Sequence, residues 1–195
     1  MIDTRQRLLD ATRRCIADKG LAATTSRDIT AAADANLAAI TYHFGSKDEL
    51  VAAALLEALR DWLTPTLDVL GGGGDAAARS MVAIQTLTST FAQHRAEAPA
   101  YLQALVEAHR VPALRDGVVR LWADLRVLLA AHITEMRARG ELGAWVHPEA
   151  MATLLVAVAN GLVLQVTSDP DGPGLEAMAA QFGGLLLAAR QPGVS

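Results

Sequence analysis

The sequence predicts an all-α protein in which an N-terminal three-helix head with a helix-turn-helix precedes a C-terminal helical bundle, with about nine helices in all. Apolar residues recur at a spacing of about 3.6 residues along most of the chain, and no stretch of useful length alternates as a strand does. Glycine or proline marks nearly every junction between these stretches. At 195 residues the chain is long enough to bury a core in one or two domains.

The first predicted helix extends from about Thr4 to Lys19 and ends at Gly20, a typical C-terminal cap. Thr12 lies in the middle of its apolar stripe, where the hydroxyl can bond to the carbonyl four residues earlier. The single cysteine, Cys15, falls on the same stripe, which favours inert packing, and it has no second cysteine for an intramolecular disulfide. The stripe consists of Leu8, Leu9, Cys15 and Ile16.

Three helix-start signals follow closely. Thr25 with Asp28 has the spacing of a capping box, in which a hydroxyl and a carboxylate satisfy the free amide groups of a first turn. Ser46 with Glu49 has the same spacing, and Asn36 has the side chain of an N-cap between them. The predicted helices are residues 26–33, residues 37–44 and a third that leaves from Lys47.

The two short helices could not stand alone in water and need a shared apolar partner. Ile29 and Ala33 line one face of the first helix. Ile40 and Phe44 line one face of the second, and the stripe of the preceding helix can cover both. With a tight turn at residues 34–35, the three helices form a unit that contains a helix-turn-helix. Such a unit exposes the outer face of its last helix to solvent. An exposed face with apolar residues is unfavourable unless it has a partner, and in a helix-turn-helix that partner is the DNA major groove.

The run from Thr24 through Phe44 to GSKDEL resembles the N-terminal DNA-binding domain of the TetR family of bacterial transcriptional repressors. A weaker resemblance to the C-terminal regulatory part of some members lies in RARGELGAWVHPEAMATLLVAVANGLVLQ. Three positions depart from the family pattern: Thr30 replaces alanine between the helices, Asp34 replaces glycine in the turn, and Thr41 replaces an aromatic residue. Aspartate tolerates the left-handed conformation of such a turn better than most residues do.

The resemblance implies a dimeric repressor that binds a palindromic operator and is released from DNA by a small-molecule effector. In such proteins a ligand in the second domain tilts the helix that begins here at Lys47. The tilt changes the separation of the two recognition helices from the value that fits successive major grooves, about 34–36 Å. The predicted domains are residues 1–46 for DNA binding and residues 47–195 for ligand binding and dimerisation.

The distribution of charge is consistent with a DNA-binding head. Residues 1–47 carry seven Arg or Lys against five Asp, a net charge of +2, and because the whole chain carries −4 the remainder carries −6. A positive head on an acidic body orients the molecule toward phosphate. The candidates for phosphate contacts are Thr25, Ser26, Tyr42, His43 and Lys47, those for base edges are Leu37, Ala39 and Thr41, and Asn36 and Ala38 complete the predicted DNA surface.

Beyond the head, the sequence predicts long helices joined at glycine or proline. Pro99, Pro112 and Pro148 occupy first-turn positions, where a missing amide hydrogen costs nothing. The run GGGG at residues 71–74 predicts a flexible connector before a second bundle. The predicted helices are residues 47–70, 75–96, 99–109, 112–139, 148–168 and 174–190.

The middle helices supply candidates for an effector cavity, with a plain hydrophobic core as the alternative for each residue. Their inward stripes hold no cluster of basic residues, so we expect a largely apolar effector. Asn160 lies inside an otherwise apolar helix and needs partners, either in a dimer network or on a ligand. The residues expected in solvent are Gln103, Glu107, His109 and His132. The ligand candidates are Met81, Gln85, Tyr101, Leu105, Trp122, Leu125, Leu129 and Asn160.

The stretch from Ala150 to Val166 is apolar nearly all round. A membrane span is one interpretation, but 17 residues that include Thr153, Asn160 and Gln165 fall short of the usual length of about 20. We expect instead a helix buried on two sides, against its own bundle and against a second subunit, with the last helix as its companion. The predicted homodimer contacts are Ala157, Gly161, Leu164, Met178, Phe182 and Leu185.

Other classes of function find little support in the sequence. No Glu is followed three positions later by His, as a di-iron bundle requires, and a lone cysteine leaves no Cys-type metal site. No glycine-rich phosphate loop follows a strand, so we expect no catalysis, metal or cofactor. The N-terminus has no signal-peptide run, which with the lone cysteine indicates a cytoplasmic protein without a membrane partner. A helical adaptor that binds only protein stays as the alternative, and a DNA-binding assay discriminates against it.

Overall fold

The computed structural model describes residues 3–188, with side chains through residue 185. This part of the chain contains nine α-helices, one 3₁₀ turn at Arg95–Glu97 and no strand, so the all-α prediction is confirmed. The helices are α1 Thr4–Lys19, α2 Ser26–Ala32, α3 Leu37–Phe44, α4 Lys47–Gly71, α5 Ala76–Gln93, α6 Ala98–Glu107, α7 Pro112–Ala138, α8 Pro148–Ser168 and α9 Leu175–Ala188.

The chain divides into two compact units. The first contains the described residues up to Asp61 together with Arg95–Arg120. The second contains Trp62–His94 and the described residues from Leu121 onward. Helices α4 and α7 therefore each contribute residues to both units. The boundary predicted between residues 46 and 47 stays a prediction.

The core of the first unit forms where α1, α2 and α3 pack on one another and on the first turns of α4. Leu8, Ile29 and Leu50 are completely shielded from solvent, and each contributes about 1.5–3 kcal/mol through burial of its side chain. The Thr12 hydroxyl, also buried, donates to the Leu8 carbonyl at 2.7 Å, as the sequence predicts. Cys15 is buried on the same face of α1, and burial raises the pKa of its thiol.

The residues that depart from the family pattern fit this core by local hydrogen bonding. The buried Thr30 hydroxyl donates to the Ser26 carbonyl at 3.0 Å, so the extra polar atom is satisfied inside α2. Asp34 adopts φ 48°, the left-handed conformation that the turn requires. The amide of Ala35 then donates to the Thr30 carbonyl at 2.9 Å and closes the turn into α3.

In the second unit α9 packs against α5 and α8. A separate apolar cluster forms around Ile133 of α7, Val146 and Ala152 of α8. Of the helices that the structure describes, α8 is the one whose length and composition would suffice to cross a membrane, and little of its apolar stretch is covered by this chain. The buried positions of α8 are Ala152, Val156 and Val166.

The tetraglycine segment lies within the second unit and not at the junction where the sequence suggests a connector. Arg79 donates to the carbonyl oxygens of Leu70, at 2.8 Å, and of Gly72. Arg139 donates to the Gly74 carbonyl at 3.4 Å. Glu135 binds both guanidinium groups, which fixes the two arginines relative to each other. Two arginines and one glutamate therefore hold the glycine backbone against the end of α7.

Candidate functional site

Helix α3 presents one face to the core and the opposite face to solvent. Ile40 and Phe44 are buried, as the pattern of the sequence predicts. In the first turn of the helix Leu37 is 52% exposed, and on the outer face Tyr42 is 85% exposed. Exposed large side chains, on a short helix whose opposite face is packed in the core, are typical of a surface that binds a partner. The exposed residues of this face also include Asn36, Ala38 and Thr41, with Ala39 half-buried.

The capping residues fix the position of α3. The Asn36 side chain accepts from the Ala39 amide at 2.9 Å and so begins the helix. Before it, the Thr25 hydroxyl accepts from the Asp28 amide at 3.2 Å, and the Asp28 carboxylate accepts from the Thr25 amide at 2.9 Å. After it, the Ser46 hydroxyl accepts from the Glu49 amide at 3.1 Å and begins α4. Each predicted start is thus formed, and each cap contributes about 0.5–2 kcal/mol.

The carboxylate of Asp28 stays charged because of its partners. Lys19 Nζ lies 2.8 Å from it, and the hydroxyl and amide of Thr25 also donate to it. The Lys19 ammonium and the two Thr25 donors hold the pKa of Asp28 well below its usual range. The carboxylate of this cap therefore stays ionised at acid pH values at which an ordinary aspartate is protonated.

A row of rings runs along the C-terminal end of α3. The rings of Tyr42 and His43 meet edge to face, with centroids 4.9 Å apart. His43 in turn faces Phe44, with centroids 6.4 Å apart. The guanidinium of Arg5, from the first turn of α1, lies over the Phe44 ring at 5.2 Å. Lys47 follows on the first turn of α4 and is half-buried, as are His43 and Ser26, whereas Thr25 is exposed.

The sequence predicts a positive charge for the head but does not place Arg5 at this site. No local signal indicates its position, because the contact joins residues that are far apart in the sequence. Arg27, which is exposed on α2, is likewise predicted only as part of the net charge.

The basic residues of the head differ in whether a carboxylate neutralises them. Arg13 lies 2.8 Å from Asp61 and within 4 Å of Glu57 and Glu97, so it joins α1 to α4 and to the turn before α6. Lys19 is paired with Asp28, as described above. Arg7 lies 3.8 Å from Asp34. Within the described chain, the cations of the head with no carboxylate within 4.0 Å are Arg5, Arg14, Arg27 and Lys47.

The predicted ligand residues do not all fall in one unit. Tyr101 and Leu105, both half-buried, belong to the first unit, and burial raises the pKa of Tyr101 to about 12. The other candidates belong to the second unit. Met81 and Gln85 are exposed on α5, whereas those that are half-buried are Trp122, Leu125, Leu129 and Asn160.

The predicted dimer residues of α8 lie on one solvent-exposed stripe. Ala157, Gly161 and Leu164 are all exposed, and apart from its own neighbours in α8 no described atom lies within 4 Å of the position where a Gly161 side chain would begin. On α9, Leu185 is 61% exposed, while Met178 and Phe182 are half-buried.

The expectation that His132 is solvated was wrong. Its side chain is buried, and Nε2 lies 2.8 Å from the Ser80 hydroxyl of α5. The signal was present in the sequence, because His132 continues the helical stripe of Leu125 and Leu129. Gln103 and His109 are exposed, as expected, and Glu107 is half-buried. Among the described residues, no three His, Cys, Asp or Glu side chains come together as a metal site would require.

Comparison with known proteins identifies both parts of the chain. The family model described as bacterial regulatory proteins, tetR family, matches residues 8–54. The family model described as BetI-type transcriptional repressor, C-terminal, matches residues 75–188, which is more than half of the chain.

Individual relatives agree with these matches. The nicotine-responsive transcriptional repressor HdnoR of Paenarthrobacter nicotinovorans is 26% identical over 88% of each chain. The transcriptional regulator BetI of Burkholderia thailandensis is 28% identical over 69% of this chain and 72% of its own. Among solved structures, a transcriptional regulator from Saccharomonospora viridis in complex with choline superposes with a TM-score of 0.79, at 24% identity, over 93% of this chain and 94% of that chain.

These relatives are regulators that bind DNA and not enzymes, which confirms the expectation that the protein is no catalyst. The geometry of the head, in which a capped helix-turn-helix exposes the outer face of α3, agrees with the same assignment. The chain belongs to the TetR family of bacterial transcriptional regulators, with a C-terminal part of the BetI type.

Proposed function

We propose that this protein is a homodimeric repressor that binds a palindromic operator and is released by a small, largely apolar effector. The main support for the proposal is the exposure of Leu37 and Tyr42 on α3. This helix is capped by Asn36, and its inner face packs in the core. Because a regulator of this kind acts on the chromosome, we also propose a cytoplasmic location and no membrane partner.

On DNA, the face of α3 would enter the major groove and its surroundings would contact the backbone. Base edges would be read by Leu37, Ala39 and Thr41, with the apolar side chain of Leu37 suited to a thymine methyl group. Asn36 and Ala38 lie beside them on the same exposed surface. The phosphate contacts would come from Thr25, Ser26, Tyr42, His43 and Lys47.

The stripe on α8 supports the dimer. It is apolar and exposed along the length of the helix, and this chain covers little of it. A second copy packed on the same stripe would bury it, and the absence of a side chain at Gly161 would let the helices approach closely. The proposed contacts, with α9 as companion, are Ala157, Gly161, Leu164, Met178, Phe182 and Leu185.

The small-molecule response is proposed from the composition of the second unit and from the relatives. One relative is named as nicotine-responsive, and a structural neighbour is in complex with choline. Both compounds are small and have no phosphate, and each joins apolar carbon to a single cationic nitrogen, so they support a small effector without phosphate. The proposed effector contacts are Met81, Gln85, Tyr101, Leu105, Trp122, Leu125, Leu129 and Asn160.

Selection from a pool of random-sequence duplexes tests the proposal. The protein should enrich a palindromic sequence whose half-sites are separated by about one helical turn or a multiple of it. Sedimentation of the complex should show an even number of subunits per operator. A protein that enriches no duplex would refute the proposed function and would favour the adaptor that binds only protein.

A further inference from the structure

We propose that Arg5 is an additional contact to the DNA backbone, where its guanidinium binds a phosphate beside the C-terminal end of α3. This inference rests on the proposed function and adds to it a residue that the motif of the head does not include. The substrate chemistry is a phosphodiester of duplex DNA.

The position of Arg5 carries the first step of the argument. Its guanidinium lies over the ring of Phe44, 5.2 Å from the centroid. From Phe44 the row of rings continues through His43 to Tyr42, the most exposed large side chain of α3. Arg5 therefore lies at the Phe44 end of this row of rings, and the other two rings, His43 and Tyr42, belong to proposed phosphate contacts.

The second step is the absence of a competing partner. Arg7, Arg13 and Lys19 each lie within 4.0 Å of a carboxylate, so their charge is partly neutralised within the first unit. Arg5 is exposed and, in the described part of the chain, has no carboxylate within that distance. An exposed cation held on a ring keeps its charge available for an external anion.

The third step is the chemistry of the guanidinium. A guanidinium carries a planar set of N–H donors, and two of these donors match the geometry of two phosphate oxygens. The ring also restricts the arginine to a limited region, so less side-chain freedom is lost when the phosphate binds. Lysine at this position would supply the charge without the planar pair of donors.

The test measures how the affinity depends on salt. The selected operator and a random-sequence duplex of equal length would be titrated with wild-type protein and with Arg5→Gln, Arg5→Lys, Lys47→Ala and Arg110→Gln. Arg110, an exposed arginine outside the head, serves as the matched control. Thermal melting of each variant checks that the head is folded.

Arg5→Gln should weaken binding to both duplexes by the same factor and should lower the salt slope by about 0.9, the value for one phosphate contact. Lys47→Ala should behave in the same way, and Arg110→Gln should leave the slope unchanged. Arg5→Lys should keep the slope but bind more weakly. A purely structural role for Arg5 would reduce the affinity or the melting temperature without changing the slope.

Two results would contradict the inference and can be told apart from failure of the proposed function. An unchanged slope in Arg5→Gln, with wild-type protein binding its operator, would overturn the role of Arg5 alone. An equal loss of slope in Arg110→Gln would show that total charge and not position matters, and would overturn it as well. Wild-type protein that binds neither duplex would overturn the proposed function and this inference together.

Discussion

Leu37 begins the recognition helix with an apolar side chain that is about half exposed to solvent. Such exposure costs little in an isolated domain, but in a major groove the same side chain would contact a thymine methyl group. Ile40, almost one turn further along α3, is buried and holds the helix in place. The residue proposed to read the DNA sequence and the residue that supports the helix are therefore three positions apart.

Replacement of Leu37 with arginine should change the preferred operator. Arginine can pair with guanine through two hydrogen bonds, a difference of about 1–3 kcal/mol against other bases, so guanine should replace the original base at one position of each half-site. Selection from random duplexes measures the change. Ala31→Arg, at an exposed position of α2, is the control that adds the same charge without altering the preference. An unchanged operator in Leu37→Arg would mean that α3 enters the groove in another orientation.

His132 illustrates the opposite case, a polar residue in the interior of the second unit. Its Nε2 lies 2.8 Å from the Ser80 hydroxyl, whereas the buried Nδ1 has no hydrogen-bond partner. Burial lowers the pKa of His132 and the charge of Arg79 adds to this effect, while the charges of Glu135 and Glu141 oppose it. The neutral imidazole is thus the form that the folded chain favours.

The lowered pKa makes stability dependent on pH. Between the folded pKa and the ordinary value of about 6.5, the unfolded chain holds more protons than the folded chain, so stability falls as the pH is lowered through this window. The melting temperature of wild-type protein should therefore decrease more between about pH 7 and pH 5 than that of His132→Gln. His109→Gln, at an exposed histidine, should retain the wild-type dependence. Parallel curves for wild type and His132→Gln would contradict this assignment.

At the level of helices, the sequence predicts best where the signals are local. The bounds of α1, α3 and α8 agree with the prediction, because caps, glycines and prolines act on their own turns. The end of α5 was placed at residue 96, but the helix ends at Gln93 and a 3₁₀ turn follows. The outer face of α3 was likewise predicted from periodicity.

Contacts between distant segments were not predicted. His132 is buried against Ser80 of α5, and Arg5 lies over Phe44 at the end of α3. The tetraglycine segment is bound by Arg139, which follows α7. Each of these joins residues separated by tens of positions, and periodicity within one helix carries no information about which helix lies opposite. Sequence patterns therefore indicate which face is buried without indicating what covers it.

The exposed stripe of α8 leads to a prediction about assembly. Gly161→Glu should give monomers, because an unpaired charge between packed helices costs about 3–5 kcal/mol. The variant should keep its fold, since the Cβ of the new side chain meets no described atom within 4 Å apart from its own neighbours in α8, and glutamate favours a helix more than glycine does. Operator binding should be weak, as a single half-site offers few contacts.

Sedimentation equilibrium measures the outcome for Gly161→Glu. Gly161→Ala, which adds one methyl group and no charge, is the matched control and should remain a dimer or dissociate only slightly. A stable dimer of Gly161→Glu would show that the subunits associate through another surface.

At the scale of the whole molecule, the proposed function links the binding of DNA to the binding of an effector. If the effector binds the DNA-free form more tightly, DNA must weaken the binding of the effector by the same factor. The arrangement of charge favours DNA binding by the N-terminal part and not by the rest of the chain, because residues 1–47 carry a net +2 and the remainder carries −6. Phosphate is attracted to one end of the sequence and repelled by the other.

The last prediction concerns the effector, and it follows from where the arginines of α7 and of the segment before it lie. Arg110 and Arg115 have side chains that are 79% and 55% exposed, and their acidic neighbours are Glu107 and Asp116. Arg120 is exposed as well, and only Arg126 is half-buried. A cluster of inward cations that could desolvate a phosphate is therefore not formed by these four residues.

Compounds with apolar carbon and few polar groups should raise the melting temperature and release the operator, whereas phosphorylated metabolites should do neither. Nicotine and choline are suitable first probes, beside aromatic and fatty-acid derivatives, because they are the compounds named for a relative and for a structural neighbour. An effector present at about 100 times its dissociation constant should stabilise the folded protein by about 2.7 kcal/mol, which a shift in the melting temperature would reveal. If phosphorylated compounds alone released the DNA, the effector would not be apolar, and Arg126 would be the first residue to replace in search of its anion contact.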